Sequence, residues 1–357
     1  MSNEFMSECI TRLRFPLALL VVLIHHNIIW RSPQCCAEGL YDCLTIGLSG
    51  GICQIAVPVF FFISGYLFFL KLDDWNWSTW IRKLKSRVNS LLVPYLIWNV
   101  LAFLATAIMT IKSPHPTDYY HYFIDNGCLR IFWDMPGGSS PADFPLWFIR
   151  DLMVCVVLSP AIWWLLKRIG GLAVVVVLIV YVLALPPFDN PLSSQTFPFV
   201  LWGGYCSLYQ KFPIYHRLSN SISKIILCLF VAAFVTKIST EGVNEMLSLP
   251  SLRLMKVVSV PFAFYIVDRM DKSSHSILPK MAECGFFLFA AHTVFLRDVS
   301  FLITTKIIPI TSHLTASVDY LLSYSFTVLL CLLIYYTLKR ITPTIIDILC
   351  GRFKYIK

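Results

Sequence analysis

Charge is scarce in this sequence: Asp, Glu, Lys and Arg make up 14% of 357 residues, against 57% hydrophobic. Soluble globular domains carry about 25% charged residues. A soluble enzyme with one anchor is therefore excluded in favour of a polytopic membrane protein. No water-soluble domain and no repeat of fixed period interrupts the apolar pattern. The 12 cysteines include no pair of CxxC units, which argues against a structural zinc site. Most of them, such as Cys155, Cys206, Cys228 and Cys331, lie in apolar runs where cysteine acts as a small hydrophobe. The net charge of +9 comes without the basic and aromatic pattern of a nucleic-acid module, and is assigned to membrane orientation and anionic headgroups. Residues 1–30 lack a small-residue cleavage site, and His25, His26 and Asn27 interrupt the apolar run, so the segment is read as retained rather than as a cleaved leader.

What is present is a series of apolar segments of spanning length, at about 13–31, 46–70, 88–111, 145–166, 170–187, 195–211, 221–238, 251–267, 282–303 and 318–338. The expected fold is all-α, a transmembrane bundle of about ten helices forming one integral-membrane domain over 1–357. The fifth and sixth segments are short enough to be tilted or broken. Twenty of the 29 Lys and Arg residues fall before the first segment, after the even ones and after the last. The positive-inside rule then puts both termini in the cytoplasm.

The first segment, RFPLALLVVLIHHNIIW, carries Arg14 at one end and His25 near its middle. A step of eleven residues at about 100° and 1.5 Å each is close to three turns, so the two side chains share a face and His26 and Asn27 turn away. Either Arg14 is an anchor and His25 a contact between helices, or the two work together. In the ninth segment, AECGFFLFAAHTVFLRD, His292 comes about ten residues after the start, so both imidazoles lie about 15 Å from the inner face. Histidines at one depth can meet, or can pack separately. No third ligand at matching depth is apparent, so no metal is expected.

The fourth segment enters from outside with PLWFIRDLMV: Trp147 suits the outer aromatic belt, and Arg150 and Asp151 either meet an acceptor or gate, or form a structural ion pair with other helices. Arg297 and Asp298 close the ninth segment similarly. In the second, Pro58 and Ser64–Gly65 either bend the helix or admit close packing by another backbone. The stretch KLDDWNWSTWIRKLKSRVN suits an interfacial helix. The extracytoplasmic loop, about 112–144, holds Tyr119, Tyr120, His121, Tyr122, Trp133 and four aspartates, a composition suited to a sugar and equally to a loop folded onto the interface. On this outer side Cys35 or Cys36 could bridge to Cys43 or Cys128.

Taken together and in order, the Arg14 to His25 spacing, VPVFFFISGYLF, SRVNSLLVPYLIWN, FPLWFIRDL and FFLFAAHTVFL resemble the acyltransferase 3 family of bacterial integral-membrane acyltransferases. The strings run from residue 14 to about 296. The resemblance implies transfer of an acetyl or similar acyl group from a coenzyme A thioester to a hydroxyl of a surface or exported glycan, in the bacterial cytoplasmic membrane. The family often has two arginines three apart before the third-span proline. Here the first is Arg87, and Ser90 stands in the second place. The extra hydrolase-like domain of some relatives is not expected.

Under that resemblance His25 is the general base, with Arg14 and His292 beside it in the catalytic set. Arg14, Arg87, Arg82 and Lys83 would meet the phosphates of acetyl-CoA or another acyl-CoA. Trp147, Arg150 and Asp151 would face the acceptor. The competing class is a transporter or flippase using the midplane histidines for substrate or protons.

Overall fold

The computed structural model describes residues 3–26, 39–70, 72, 75–111, 127–134, 140–186, 195–210, 220–270 and 278–353, and all regular structure among them is helical. In chain order the helices are α1 (Asn3–Ile24), α2 (Leu40–Gly47), α3 (Ala56–Phe69), α4 (Trp77–Arg87), α5 (Val93–Ile111), α6 (Trp147–Val157), α7 (Ser159–Ile169) and α8 (Gly171–Val182). They continue with α9 (Thr196–Leu208), α10 (Asn220–Thr240), α11 (Glu245–Arg269), α12 (Leu278–Met281), α13 (Gly285–Ala291), α14 (Arg297–Ile307), α15 (His313–Ile341) and α16 (Pro343–Leu349). Two π-helical turns join neighbours, Val88–Leu92 before α5 and His292–Leu296 between α13 and α14.

Among the described residues six helices are long and apolar enough to cross a membrane, or up to seven if a bent pair is one span: Leu40–Phe69, Trp77–Met109, Ser221–Thr240, Met246–Arg269, Gly285–Ile307 and His313–Ile341, with Phe144–Val157 and Ser159–Ile169 as the pair. Length and composition alone thus give fewer spans than the ten segments anticipated. The fifth and sixth are short helices of 12 and 13 residues, α8 and α9.

The fourth segment, counted as one span over 145–166, bends by 63° after Val157. Pro160 has no N–H for the Val156 carbonyl, and the Ser159 hydroxyl donates to that carbonyl instead at 2.6 Å. The first helix stops at Ile24. His25 therefore stands in a turn past the helix end rather than in mid-helix. Ser49 Oγ donates to the Leu23 carbonyl at 3.1 Å, taking an acceptor that the next helical turn would have used.

The chain forms two compact units. One comprises residues 1–24, 45–83 and 154–283. In it α3 and α9 meet backbone to backbone. A Cβ on Gly65 would lie 2.3 Å from the Val200 carbonyl oxygen, and one on Gly203 would lie 2.1 Å from that of Phe62. Gly65 thus serves close packing, the small-residue device of membrane bundles, within an unbroken helix. α10 and α11 pair through stacked Phe230 and Phe262, 4.4 Å apart. Trp80 of the amphipathic α4 donates to Ser159 at 3.2 Å.

The other unit comprises residues 25–44, 84–153 and 284–357. Trp98 of α5 donates to the Leu349 carbonyl at 3.0 Å and meets Phe287 edge-on at 5.4 Å, and Phe287 in turn packs on Tyr335. Ser90 is held here too: a Cβ on Gly351, whose φ is +65°, would lie 2.3 Å from the Ser90 carbonyl oxygen. Thr304 donates to Asp319 at 2.5 Å, tying α14 to α15.

Candidate active site

Within the second unit, His25 and His292 meet. Their rings stack with centroids 5.4 Å apart and planes 22° from parallel. Phe144 closes the other side of His25 edge-on at 4.6 Å. The Arg297 guanidinium lies over Phe144, with Nη1 3.5 Å from the His25 carbonyl oxygen. His25 is half-buried, whereas His292 is fully buried.

A hydrogen bond back to α13 fixes the state of the ring of His292, the residue that opens the π turn. Nδ1 lies 3.1 Å from the Leu288 carbonyl. A carbonyl can only accept, so Nδ1 carries the proton and Nε2 holds a bare lone pair. That Nε2 is buried with no hydrogen-bond partner among the described residues. A π turn is uncommon inside a helix and recurs at functional sites, because it displaces a side chain from the regular helical register.

A second polar line runs beside the pair. Thr293 Oγ1 donates to Asp143 Oδ1 at 2.7 Å, the Asp143 amide donates to Asn99 Oδ1 at 2.9 Å, and Asn99 Nδ2 donates to the Tyr95 carbonyl at 2.8 Å. Asp143 Oδ2, also buried, has no partner among the described residues. Burial pushes the Asp143 carboxyl up from 3.8 to about 8, with the Thr293 hydroxyl pulling the other way. The carboxyl is therefore largely protonated at neutral pH and can donate from Oδ2. His26, by contrast, is structural: Nε2 bonds Thr327 Oγ1 at 2.9 Å, and its ring meets Tyr324 edge-on.

Arg150 and Asp151 form an ion pair of adjacent residues, with both Nε and Nη2 3.0 Å from Oδ1. Arg150 Nη1 also donates to the Trp133 carbonyl at 2.5 Å, and the guanidinium lies 5.1 Å from the centre of the Trp133 ring. Trp133 itself is 54% exposed. Trp147, half-buried, opens α6. Residues 112–126 and 135–139 of the expected loop lie outside the described residues, as do Cys35 and Cys36; Cys43 is a free thiol.

Of the basic residues, Arg14 is exposed on α1, while Arg12 pairs with Glu8. Arg82 is exposed and reaches Thr79 at 3.3 Å. Lys83 bonds the carbonyls of Phe68 and Leu70, capping the end of α3. Arg87 ends α4, half-buried. No group of three or more His, Cys, Asp or Glu side chains that could hold a metal ion occurs among the described residues.

Asp143, Asn99, Thr293 and the contact of Arg297 with His25 were not anticipated as parts of a site. Asn99, Phe144 and Thr293 stand inside the quoted strings, and Asp143 directly precedes FPLWF. Depth-matching could have placed Thr293 and Arg297, but not the fold-back of Asp143.

Apolar helices of spanning length, with a stacked histidine pair and a bare buried imidazole nitrogen, define a multi-pass membrane protein with a site suited to accepting a proton. The chain belongs to the acyltransferase 3 family: the family model described as an acyltransferase domain matches residues 8–336. It is 31% identical over 188 residues to the succinoglycan biosynthesis protein ExoH of Rhizobium meliloti (strain 1021), over 50% of this chain and 48% of that protein. The chain thus matches about half the length of that curated relative. No solved structure matches significantly.

Proposed function

We propose that the protein is an integral-membrane O-acyltransferase that moves an acyl group, acetyl in the simplest case, from a coenzyme A thioester to a hydroxyl of a cell-envelope or exported glycan. The observation that carries this reading is the His25–His292 stack with its bare, buried Nε2. Family membership supports acyl transfer, and the relative's name as a succinoglycan biosynthesis protein supports a glycan.

In this reading His25, the more accessible imidazole, takes the proton of the acceptor hydroxyl as its oxygen attacks the thioester carbonyl carbon. The C–S bond then breaks and the departing thiolate is protonated. General base catalysis of this kind contributes ~10²- to 10⁴-fold. His292 Nε2 accepts a hydrogen bond in the same space, and protonated Asp143 donates one. Arg14, Arg82 and Arg87 meet the donor's phosphates, and Lys83 contributes less because it caps α3. Trp133, backed by Arg150, offers an exposed ring face to a sugar, with Asp151 and Trp147 holding that side. About ten spans, cytoplasmic termini and residence in the bacterial cytoplasmic membrane complete the reading, since coenzyme A is cytoplasmic and the acceptor glycan is exported.

The test is ester content of envelope and secreted glycans, by NMR, in a deletion strain carrying wild type or His25→Ala at equal membrane abundance. Esters restored by wild type and absent with His25→Ala are expected. Full restoration by His25→Ala would overturn the assignment of the base.

A further inference from the structure

Within the second unit, residues 343–353 return to the start of α5. After α16 the backbone closes in a Schellman motif: the Arg352 amide donates to the Asp347 carbonyl at 2.7 Å and the Gly351 amide to the Ile348 carbonyl at 3.1 Å. Glycine is required at 351 twice over, by its φ of +65° and by the Ser90 backbone, whose Cα and carbonyl oxygen would lie 3.0 and 2.3 Å from a Cβ there. Ser90 belongs to the π turn that follows α4, with its hydroxyl on the Ser86 carbonyl at 3.0 Å. Arg352 therefore leaves the backbone beside that turn. Arg87, three residues before Ser90, lies on the same helical surface as Ser90.

The Arg352 side chain is fixed as well. Nη2 donates to the Tyr335 hydroxyl at 3.0 Å, the guanidinium carbon lies 6.0 Å from the centre of that ring, and the Cys350 sulfur is hydrogen-bonded to Arg352 and to the Phe287 backbone. Lys339, one helical turn past Tyr335 on α15, holds its Nζ 5.8 Å from the same ring. Tyr335 is buried, Arg352 and Arg87 are half-buried, and Lys339 is exposed. Cations from α4, from α15 and from the turn after α16 thus gather at one end of the unit, where their summed field draws anions. A guanidinium offers a phosphate two parallel N–H donors, and an ammonium adds a point charge. Packing runs from this end to the histidines without leaving the unit. Tyr335 meets Phe287, which stands five residues before His292 along α13 and its π turn. On α5, Ser90 and Asn99, the residue that holds the Asp143 amide, are nine residues apart, about 13 Å of helical rise. The extended pantetheine arm of coenzyme A covers that length between its phosphates and its thioester.

We propose that Arg352, with Arg87 and Lys339 at the same end, binds a phosphate of the acyl-CoA donor, so that the turn after α16 is part of the donor site. Phosphate has a second source, the headgroup of an anionic phospholipid, which the test separates. Assignment of the phosphate to coenzyme A rests on the transferase reading; the binding of phosphate does not.

Wild type, Arg352→Met and Arg352→Lys are compared as the full-length protein in nanodiscs. In zwitterionic lipid, coenzyme A is expected to raise the thermal midpoint of wild type, and the same shift in Arg352→Met should need at least about 10-fold more coenzyme A, the loss of one charge-assisted hydrogen bond. Turnover, with glycan extract as acceptor, is read as the ratio of kcat/KM for acetyl-CoA to that for S-acetylpantetheine, which has the same thioester and no phosphate. That ratio should fall at least about 10-fold in Arg352→Met and by less in Arg352→Lys, which keeps the charge. A merely structural arginine would lower both members of the ratio together. A midpoint raised by phosphatidylglycerol in wild type but not in Arg352→Met, with coenzyme A acting alike on both, would overturn the donor assignment in favour of lipid. Coenzyme A binding that depends on Arg352, without turnover of either thioester, would sink the transferase reading while leaving the phosphate site intact. No shift of wild type by coenzyme A, or a ratio unchanged in Arg352→Met, would overturn the proposal.

Discussion

Replacing Asp143 with asparagine should change how stability depends on pH. In the folded protein the carboxyl is raised from 3.8 to about 8 by burial, while the unfolded chain ionises near 3.9. Between those values the folded state holds a proton that the unfolded state has released, so wild-type stability falls as pH rises through that window. One proton corresponds to about 1.4 kcal/mol per pH unit, so from pH 6 to pH 8 the loss is about 2–3 kcal/mol. For a chain of this length that shifts the thermal midpoint by on the order of 4 °C. Asparagine keeps an oxygen for Thr293 and a donor in place of the protonated Oδ2, yet does not titrate. His25, His292 and Arg297 stand in the same unit and are common to both proteins, so the difference between the two curves isolates Asp143. Thermal midpoints in nanodiscs from pH 5.5 to 8.5 give the readout. Parallel curves for wild type and Asp143→Asn would refute the buried neutral carboxyl.

Three further outcomes are expected. Gly203→Ala places a Cβ 2.1 Å from the Phe62 carbonyl oxygen and must push α3 and α9 apart; a loss of about 1–3 kcal/mol should show as a lowered thermal midpoint, and wild-type stability would contradict the backbone contact. Arg150→Met leaves Asp151 buried without its cation and frees the Trp133 carbonyl, so destabilisation of about 3–5 kcal/mol should appear as a markedly lower midpoint. Arg150→Lys should recover only part of it, since an ammonium lacks the planar fork. Thr293→Val removes the donor to Asp143 Oδ1 and should raise the carboxyl's pKa further, so that the fall in stability continues to higher pH in the same scan before levelling.

The helical membrane architecture was legible from scarce charge and apolar runs. Counting residues gave His25 and His292 a common depth, but whether they meet or pack separately is decided by the packing, which brings the rings together. Gly65 was legible as a site of bending or close approach, and the Val200 backbone decides for approach. The number of spans was not, because apolar run length cannot distinguish α8 and α9 from full crossings. The break at Ser159 was hidden because Pro160 falls in an apolar run where a proline can also be accommodated with a mild kink. Asp143 was hidden for a different reason: its value comes from burial and from Thr293, 150 residues away, and nothing local in the sequence reports either. Arg150 and Asp151 were legible as polar groups with an acceptor-side or a structural role, with any ion pair expected to other helices. They pair with each other instead, and the hold of Arg150 on Trp133 links positions too far apart in sequence for local reading to show.

His25 is proposed to take a proton in an acyl transfer fed by an acyl-CoA bound through Arg14. The most direct test is free thiol release from acyl-CoA by the purified protein in nanodiscs, with glycan extract added, for wild type beside His25→Ala and Arg14→Ala. Thiol release lost in His25→Ala with donor still bound, and weakened donor binding in Arg14→Ala, is the predicted result. Thiol release by His25→Ala at the wild-type rate would contradict the account.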